Sequence, residues 1–442
     1  MDTRISSEPT STHFQALLSR LDEMSIVGQS FPHVLEVAAS DLDGWRLLQA
    51  NVCENRITWS ERAKERISFG LGTAAVVTME SGGDAASILA QCRNVIADNK
   101  RLRFYGGFSF NGNDSWDSFG AGRFVVPRLQ LQDGVLSLAI MSPEDVASAR
   151  DDLLRFQPAV EAFADDIPAP ESTSYQPTFE GWQSRIDEAL SLIRAEVLEK
   201  IVLSRKTKVA FAEVLDPVAL AAKLDKTTYD CFVFCFDFGA GSAFVGATPE
   251  RLFKRCGDRL ESEVVAGTRM RGKTASEDEQ LAIELLTSDK DQREHDIVRK
   301  SIRQKLHKFV EHLDVDSRAS ILRLANKQHL RSNVQGTLKS GVDDGMLLQR
   351  LHPTPAVGGY PTDNALPEIS RIEPFDRGWY AAPVGWVSSD EAQFAVAIRS
   401  GLVDGKTLTL YSGAGIVRGS DPDEEWQEVE NKIQDFIEVL GR

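Results

Sequence analysis

Long apolar runs are missing from this 442-residue sequence. With no stretch of about 18 or more apolar residues, no segment is expected to span a membrane. The opening MDTRISSEPTSTHF carries acidic residues early and no apolar centre, so it does not read as a secretory leader. Cysteine is scarce: Cys53, Cys92, Cys231, Cys235 and Cys256 are an odd, scattered set, and none stands at zinc-site spacing with a histidine. Cys231 and Cys235 share one face of a strand-like run and read as buried core thiols. Positive charge is also short. The 50 Lys and Arg against 66 Asp and Glu leave −16, which argues against nucleic acid or an anionic membrane as the main partner. An anionic ligand would therefore need local cations or a metal. A soluble, reduced, cytoplasmic protein is expected.

A hydrophobic share of 42% is enough for a substantial core, in two or three domains or one large body. Residues 1–165 read as a strand-rich half. Arg56-Ile-Thr-Trp, Ile67-Ser-Phe-Gly-Leu-Gly, Ala74-Ala-Val-Val-Thr-Met and Arg103-Phe-Tyr-Gly-Gly-Phe-Ser-Phe alternate as strands do. Phe124 to Gln132 and Val135 to Ile140 read as a hairpin closed by Asp133-Gly134, and Ala85 to Asn99 as one helix. His13 and His33 are isolated, and this half shows no chemistry. Residues 166–178, dense in Pro, Ser and Thr, read as a linker or crossover.

Residues 179–442 carry the more specific patterns. Trp182, Ile186, Ala189, Leu190, Ile193 and Val197 give an amphipathic helix ending near Leu198, followed by a strand from Lys200 to Phe211. Lys200 at that junction is either a solvated helix cap or a side chain aimed into a cleft. From Cys231 to Val265 the chain reads as two strands and a turn, with Thr248-Pro249 stopping a strand and Glu250 leaving its end. Glu250 is either an exposed turn residue or a desolvated carboxyl suited to acid catalysis.

Ser288 and Asp291 resemble a capping box, and the apolar stripe Ile297, Val298, Ile302, Leu306, Phe309 and Val310 extends back onto Glu294. Asp421-Pro422 opens the last helix, whose stripe of Val429, Ile433, Phe436, Ile437 and Leu440 is edged by Glu425, Glu428 and Lys432. Such inner-edge carboxylates either answer the helix dipole or bind a hard cation such as Mg²⁺. Val264 to Gly272 reads as a turn with two arginines, an anion contact. Leu351 to Pro361 reads as a rigid loop with one buried histidine. Gly385 to Arg399 and Leu408 to Val417 read as a strand pair around Asp404-Gly405. The Gly413-Ala-Gly415 loop serves either close strand packing or an anion.

Together, EKIVLSR (199–205), GATPERLF (246–253), AGTRMRG (266–272), SDKDQREHDIV (288–298), LHPTPAVGG (351–359), RGWYAAPVGW (377–386), AIRSG (397–401) and YSGAGIVRGSDPDEEWQEVENK (411–432) resemble the chorismate-utilising enzymes. That family includes isochorismate, salicylate, anthranilate and aminodeoxychorismate synthases. The match spans roughly the last 260 residues in the family's order, and FYGGFSF and RFVVPRL extend it more weakly into the first half. The resemblance implies an α+β fold: one large body of two stacked, mainly antiparallel sheets with helices outside and the active site in the cleft between halves. It also implies Lys200 as base, Glu250 as acid, Mg²⁺ on Glu294 and Glu428, and support from Asp291 and Glu425. Gly267, Thr268, His352, Ala356, Tyr380, Arg399, Gly413, Ala414, Gly415 and Lys432 would hold the substrate, chorismate.

Ammonia-using relatives typically carry glutamine where Lys200 stands, and aminodeoxychorismate synthases a lysine where Ala266 stands. Water is thus the expected nucleophile, with no glutamine amidotransferase subunit. Ala356 matches the isochorismate synthases, whereas salicylate synthases tend to have threonine there. The resemblance therefore favours an isochorismate synthase, monomer or homodimer, over a salicylate synthase or a catalytically silent chorismate-binding subunit. A neutral Lys200 would take a proton from water attacking ring carbon C2, and Glu250 would protonate the departing C4 hydroxyl. Mg²⁺ would orient and neutralise the ring carboxylate.

Overall fold

The computed structural model describes residues 8–52, 54–112, 116–158, 162–239, 241–324 and 327–441. Cys53 and the first seven residues of the opening stretch lie outside them. Among the described residues, two large sheets form, and every strand pairing in them is antiparallel. The first, of twelve strands, runs in order His33–Ala38, Val135–Ile140, Leu129–Gln132, Ile67–Leu71, Arg56–Ser60, Phe232–Asp237, Ser242–Thr248, Ser400–Asp404, Thr407–Ile416, Lys200–Phe211, Gly359–Tyr360. Pro170–Gln176 also pairs with Lys200–Phe211. The second, of ten, runs Val310–Val315, Lys327–Leu338, Arg259–Met270, Arg251–Cys256, Glu391–Val396, Pro383–Val387, Phe104–Phe108, Gly122–Val126, Ala75–Met79, with Ser320–Arg323 on Lys327–Leu338. The chain is α+β, as expected, and each sheet joins a block of strands from the first half of the sequence to a block from the second.

Side-chain alternation explains the layering. In Phe232–Asp237 the rings of Phe232, Phe234 and Phe236 enter the core with Trp59, Phe244 and Trp379. Val233 and Cys235 face the other way, onto helix Pro217–Thr227 and the end of helix Pro422–Val439. A strand buried on both faces reads as one continuous apolar run, which this one does. Cys92, Cys231 and Cys235 are buried cysteines in no disulfide, and Cys256 is exposed.

The chain steps between sheets at four short connections: 72–74, 127–128, 249–250 and 397–399. Pro127 and Pro249 stand at two of them, where a residue without an N–H ends a ladder. The last two connections lie side by side: Ala247 N–H donates to the Arg399 carbonyl and Val396 N–H to the Glu250 carbonyl, both at 3.0 Å. Glu250 and Arg399 therefore project from neighbouring crossings between the sheets.

Several readings need correction. Phe124 to Gln132 is two strands in different sheets, broken at Pro127, although the Asp133-Gly134 turn is present with φ of 52° and 74°. The Gly385–Val417 pair is two hairpins, one per sheet, parted at the 397–399 crossing. Cys231 to Val265 holds parts of four strands rather than two. Pro170–Gln176, inside the expected linker, is an edge strand, its Pro at the first position. The first long helix of the second half is Phe179–Arg194, which leaves Val197 exposed. The helix after Ser288 is Asp289–Leu306, and Val310 opens a strand instead of extending its stripe. Helices Glu8–Asp22, Gly44–Ala50 and Asp145–Arg155 escaped the strand-dominated reading of the first half. No helix among the described residues is long and apolar enough to cross a membrane.

Candidate active site

A cavity of about 990 Å³ opens where these elements meet. Its walls are the two crossings, the strands Lys200–Phe211, Arg259–Met270 and Thr407–Ile416, and the N-terminal turns of helices Asp289–Leu306 and Pro422–Val439. Both helix starts are sequence-encoded: Ser288 Oγ accepts the Asp291 N–H at 3.3 Å, and Asp421 caps Asp423 and Glu424. These starts turn Asp291, Glu294 and Glu428 onto the wall.

Twelve of the sixteen singled-out side chains or backbones line the cavity: Glu250, Gly267, Thr268, Asp291, Glu294, Ala356, Tyr380, Arg399, Gly413, Gly415, Glu428 and Lys432. Lys200 stands just behind, 1% exposed, with Nζ 2.6 Å from Glu294 Oε1. Ala414 is not on the wall, because alternation turns it away between Gly413 and Gly415. His352 is not on it either: its Nε2 lies 3.3 Å from the Phe110 carbonyl and its ring packs edge-on against Phe110. Glu425 is buried at 2% exposure beside Glu428 rather than on the wall.

Glu250 is buried, not an exposed turn residue, at 6% exposure. Burial and the nearby charge of Glu263 push its carboxyl up to about 7, against the opposing pull of Lys200 and Arg62. A carboxyl so poised is half protonated near neutrality. Lys200 points inward rather than capping a helix, and its Nζ lies against Glu294. Burial works against the Glu294 charge, but the Lys200, Lys432 and Lys290 ammonium groups outweigh it and hold that carboxyl below its usual range. Lys432 pairs with Glu428 at 2.6 Å and donates to the Gly413 carbonyl at 2.9 Å. Burial and the Glu428 charge raise Glu425.

Gly415 leaves room for the Lys200–Glu294 pair. A Cβ on it would lie 2.8 Å from Lys200 Cε, 3.2 Å from Nζ and 3.3 Å from Glu294 Oε1.

The opposite wall holds a group that sequence reasoning missed. His329, 6% exposed on Lys327–Leu338, lies between Arg399 and the Gly267-Thr268 bulge. Arg399 Nη2 is 2.7 Å from His329 Nε2; an arginine only donates, so Nε2 accepts and the proton sits on Nδ1. Nδ1–H then donates to the Gly267 carbonyl at 3.0 Å, with Thr268 Oγ1 at 3.1 Å. Burial and the Arg399 charge keep the ring neutral, well below its usual pKa. The available signal was Lys327-Gln328-His329, three polar residues opening a strand that is buried. The two arginines of AGTRMRG pair with Asp291 at 2.9 Å and Asp278 at 2.7 Å, Arg269 lines the cavity, and the segment is strand rather than turn as far as Met270.

A buried strap spans the far side. Arg377 donates to Val202 O and Val357 O at 2.8 Å each and to both oxygens of Glu373, which also accepts the Ser204 N–H and hydroxyl at 2.7 Å. Val202 and Val357 both face the cavity.

No cluster of three or more metal-ligating side chains exists among the described residues. Mg²⁺ does not require one, since it keeps several waters and takes one or two carboxylates. Glu294 and Glu428 on the wall, with Glu425 raised in pKa by burial and by the Glu428 charge, fit such a hard cation in donor type.

A polar cleft between two antiparallel sheets, holding a buried acid, a buried lysine and an arginine, defines an α+β enzyme body built to take a small anionic substrate. The sequence profile of the chorismate binding enzymes matches residues 28–441, and the chain belongs to that family. It is 32% identical to isochorismate synthase MenF of Bacillus subtilis over 417 residues, covering 88% of each chain. It is 31% identical to the chloroplastic isochorismate synthase of Catharanthus roseus, covering 98% of this chain and 80% of that one. The solved structure of MenF, the menaquinone-specific isochorismate synthase from Escherichia coli, superposes with a TM-score of 0.87 at 29% identity, covering 97% of this chain and 99% of the other.

Proposed function

We propose that this protein is an isochorismate synthase, an isomerase that adds water at ring carbon C2 of chorismate and releases the C4 hydroxyl. The observation that carries this reading is the pairing, in one cavity, of a buried acid with a pKa of about 7 and a buried lysine. The full-length likeness to isochorismate synthases supports the choice of reaction.

Lys200 acts as base only when neutral, so the ammonium paired with Glu294 first gives its proton to solvent and parts from that carboxylate. The freed amine takes a proton from the attacking water as the C2–O bond forms. The ring double bonds shift, the C4–O bond breaks, and Glu250 gives its proton to the departing hydroxyl, which leaves as water. Acid and base each contribute about 10²–10⁴-fold in such reactions. Glu294 and Glu428 would hold Mg²⁺, which supplies positive charge against the ring carboxylate. Arg399, held by neutral His329, meets an anionic group, and Thr268 and the Gly413 backbone complete the cradle. Bonds made and broken are alike, so the reaction runs to an equilibrium.

Incubation of the purified protein with chorismate and Mg²⁺, with products separated, tests the reading. Isochorismate should dominate, with pyruvate only in trace by a lactate dehydrogenase-coupled assay. Stoichiometric pyruvate would show a salicylate synthase, and recovery of unchanged chorismate a binding protein.

A further inference from the structure

The first half of the chain reaches this site through Arg62, a buried side chain from the short turn Arg62–Lys64. Its Nη1 donates to Glu263 Oε2 at 2.8 Å, and its Nη2 donates both to Glu263 Oε1 and to the Pro249 carbonyl. Glu263 Oε1 also accepts the Arg251 N–H at 2.7 Å. The residues on either side of Glu250 are thus gripped by one ion pair, while the Glu250 carbonyl is held by Val396.

A buried ion pair is a weak route to stability, since apolar residues of like volume often serve as well or better. This one is 8% and 6% exposed and touches the backbone of the proposed acid on both flanks. Its two charges also act on the Glu250 carboxyl in opposite senses: Glu263 favours the protonated form and Arg62 the ionised one. Among the described residues, the other charged or titratable groups facing this turn are Lys200 and Tyr380 across the cavity, Arg251 beside it, and Asp230, Cys231 and Arg331 behind the pair.

We propose that Arg62 and Glu263 are positioning residues for Glu250, fixing the turn that presents its carboxyl and setting the field in which it keeps its proton. This rests on reading Glu250 as the acid.

Glu263→Gln keeps the shape and removes the negative charge. The alkaline limb of kcat/KM, where the acid loses its proton, should then move down by roughly one pH unit in a folded protein. Arg62→Lys keeps the positive charge but loses the two-handed grip, so kcat should fall while the limb stays in place. Infrared difference titration of each protein against its Glu250→Gln counterpart reads the Glu250 carboxyl directly and should move with the limb. A folded Glu263→Gln with an unmoved limb and unmoved carboxyl titration overturns the inference. So does an Arg62→Lys limb displaced as far as that of Glu263→Gln. Should Glu263→Gln not fold, Glu263→Asp, which retracts the charge, must shift the titration the same way, and an unmoved one counts equally against it. Full turnover by Glu250→Gln would instead remove the acid assignment, leaving the infrared titration to judge the pair on its own.

Discussion

Burial and the Glu263 charge hold the Glu250 proton, and that has a cost in stability. An unfolded glutamate ionises near 4.3, so between there and about 7 the folded chain binds the extra proton. Stability attributable to this group therefore falls as pH rises through that window and stays lower above it. The penalty is on the order of 4 kcal/mol at most. Glu250→Gln mimics the neutral acid: it should abolish turnover yet raise the melting temperature at pH 8, a gain that shrinks towards pH 5. A variant less stable than wild type at pH 8 would contradict the buried-acid account. At Gly415 the test is steric. Gly415→Ala puts a methyl group 2.8 Å from Lys200 Cε, and the flexible lysine end must yield. Turnover should drop roughly 10²-fold with the fold intact, as misplacement by about an ångström does elsewhere. Near-native turnover would mean that the position of the amine is not critical.

Two helix starts present the candidate metal ligands, so the metal should depend equally on two elements far apart in sequence. Glu294→Gln and Glu428→Gln should each weaken Mg²⁺ binding by at least about tenfold in calorimetric titration. An unchanged Mg²⁺ isotherm in either variant would remove that residue from the ligand set. These helices were legible in the sequence because Ser288 and Asp421 announce them and the stripes Val298, Ile302 and Val429, Ile433 are local, periodic signals. Strand Lys200–Phe211 was legible to the residue for a similar reason. What escaped was non-local. That Phe124 to Gln132 divides between sheets depends on partners Phe104–Phe108 and Ile67–Leu71, which periodicity does not name. His329 and Arg62 escaped because each matters only through a residue 61 or more positions away. Ala414 and His352 were placed by their neighbours in motifs, whereas strand alternation and the Phe110 contact decide where their side chains go.

At the scale of the molecule, the cavity wall carries seven basic and six acidic side chains inside a chain of net charge −16, so the anion site is locally compensated. The sheets bind the two halves of the sequence together just as closely. Arg56–Ser60 lies against Phe232–Asp237, and Phe104–Phe108 against Pro383–Val387. Separating residues 1–168 from 169–442 would bare both edges, and such edges recruit other chains. Each piece expressed alone should aggregate, and the two co-expressed should recover chorismate turnover. A soluble, monomeric, cooperatively melting first piece would show that the two seams are dispensable.

The joining of the two halves within each sheet also sets a clock on synthesis. About 275 residues separate Phe108 from the strand at Pro383 that completes its ladder. At roughly 5–20 residues per second, translation takes some 15–55 seconds to cross that interval. Throughout it the apolar edge of a nascent sheet waits on the ribosome without its partner. Yield of native protein should therefore respond to growth temperature and chaperone supply more steeply than the stability of the finished molecule would suggest.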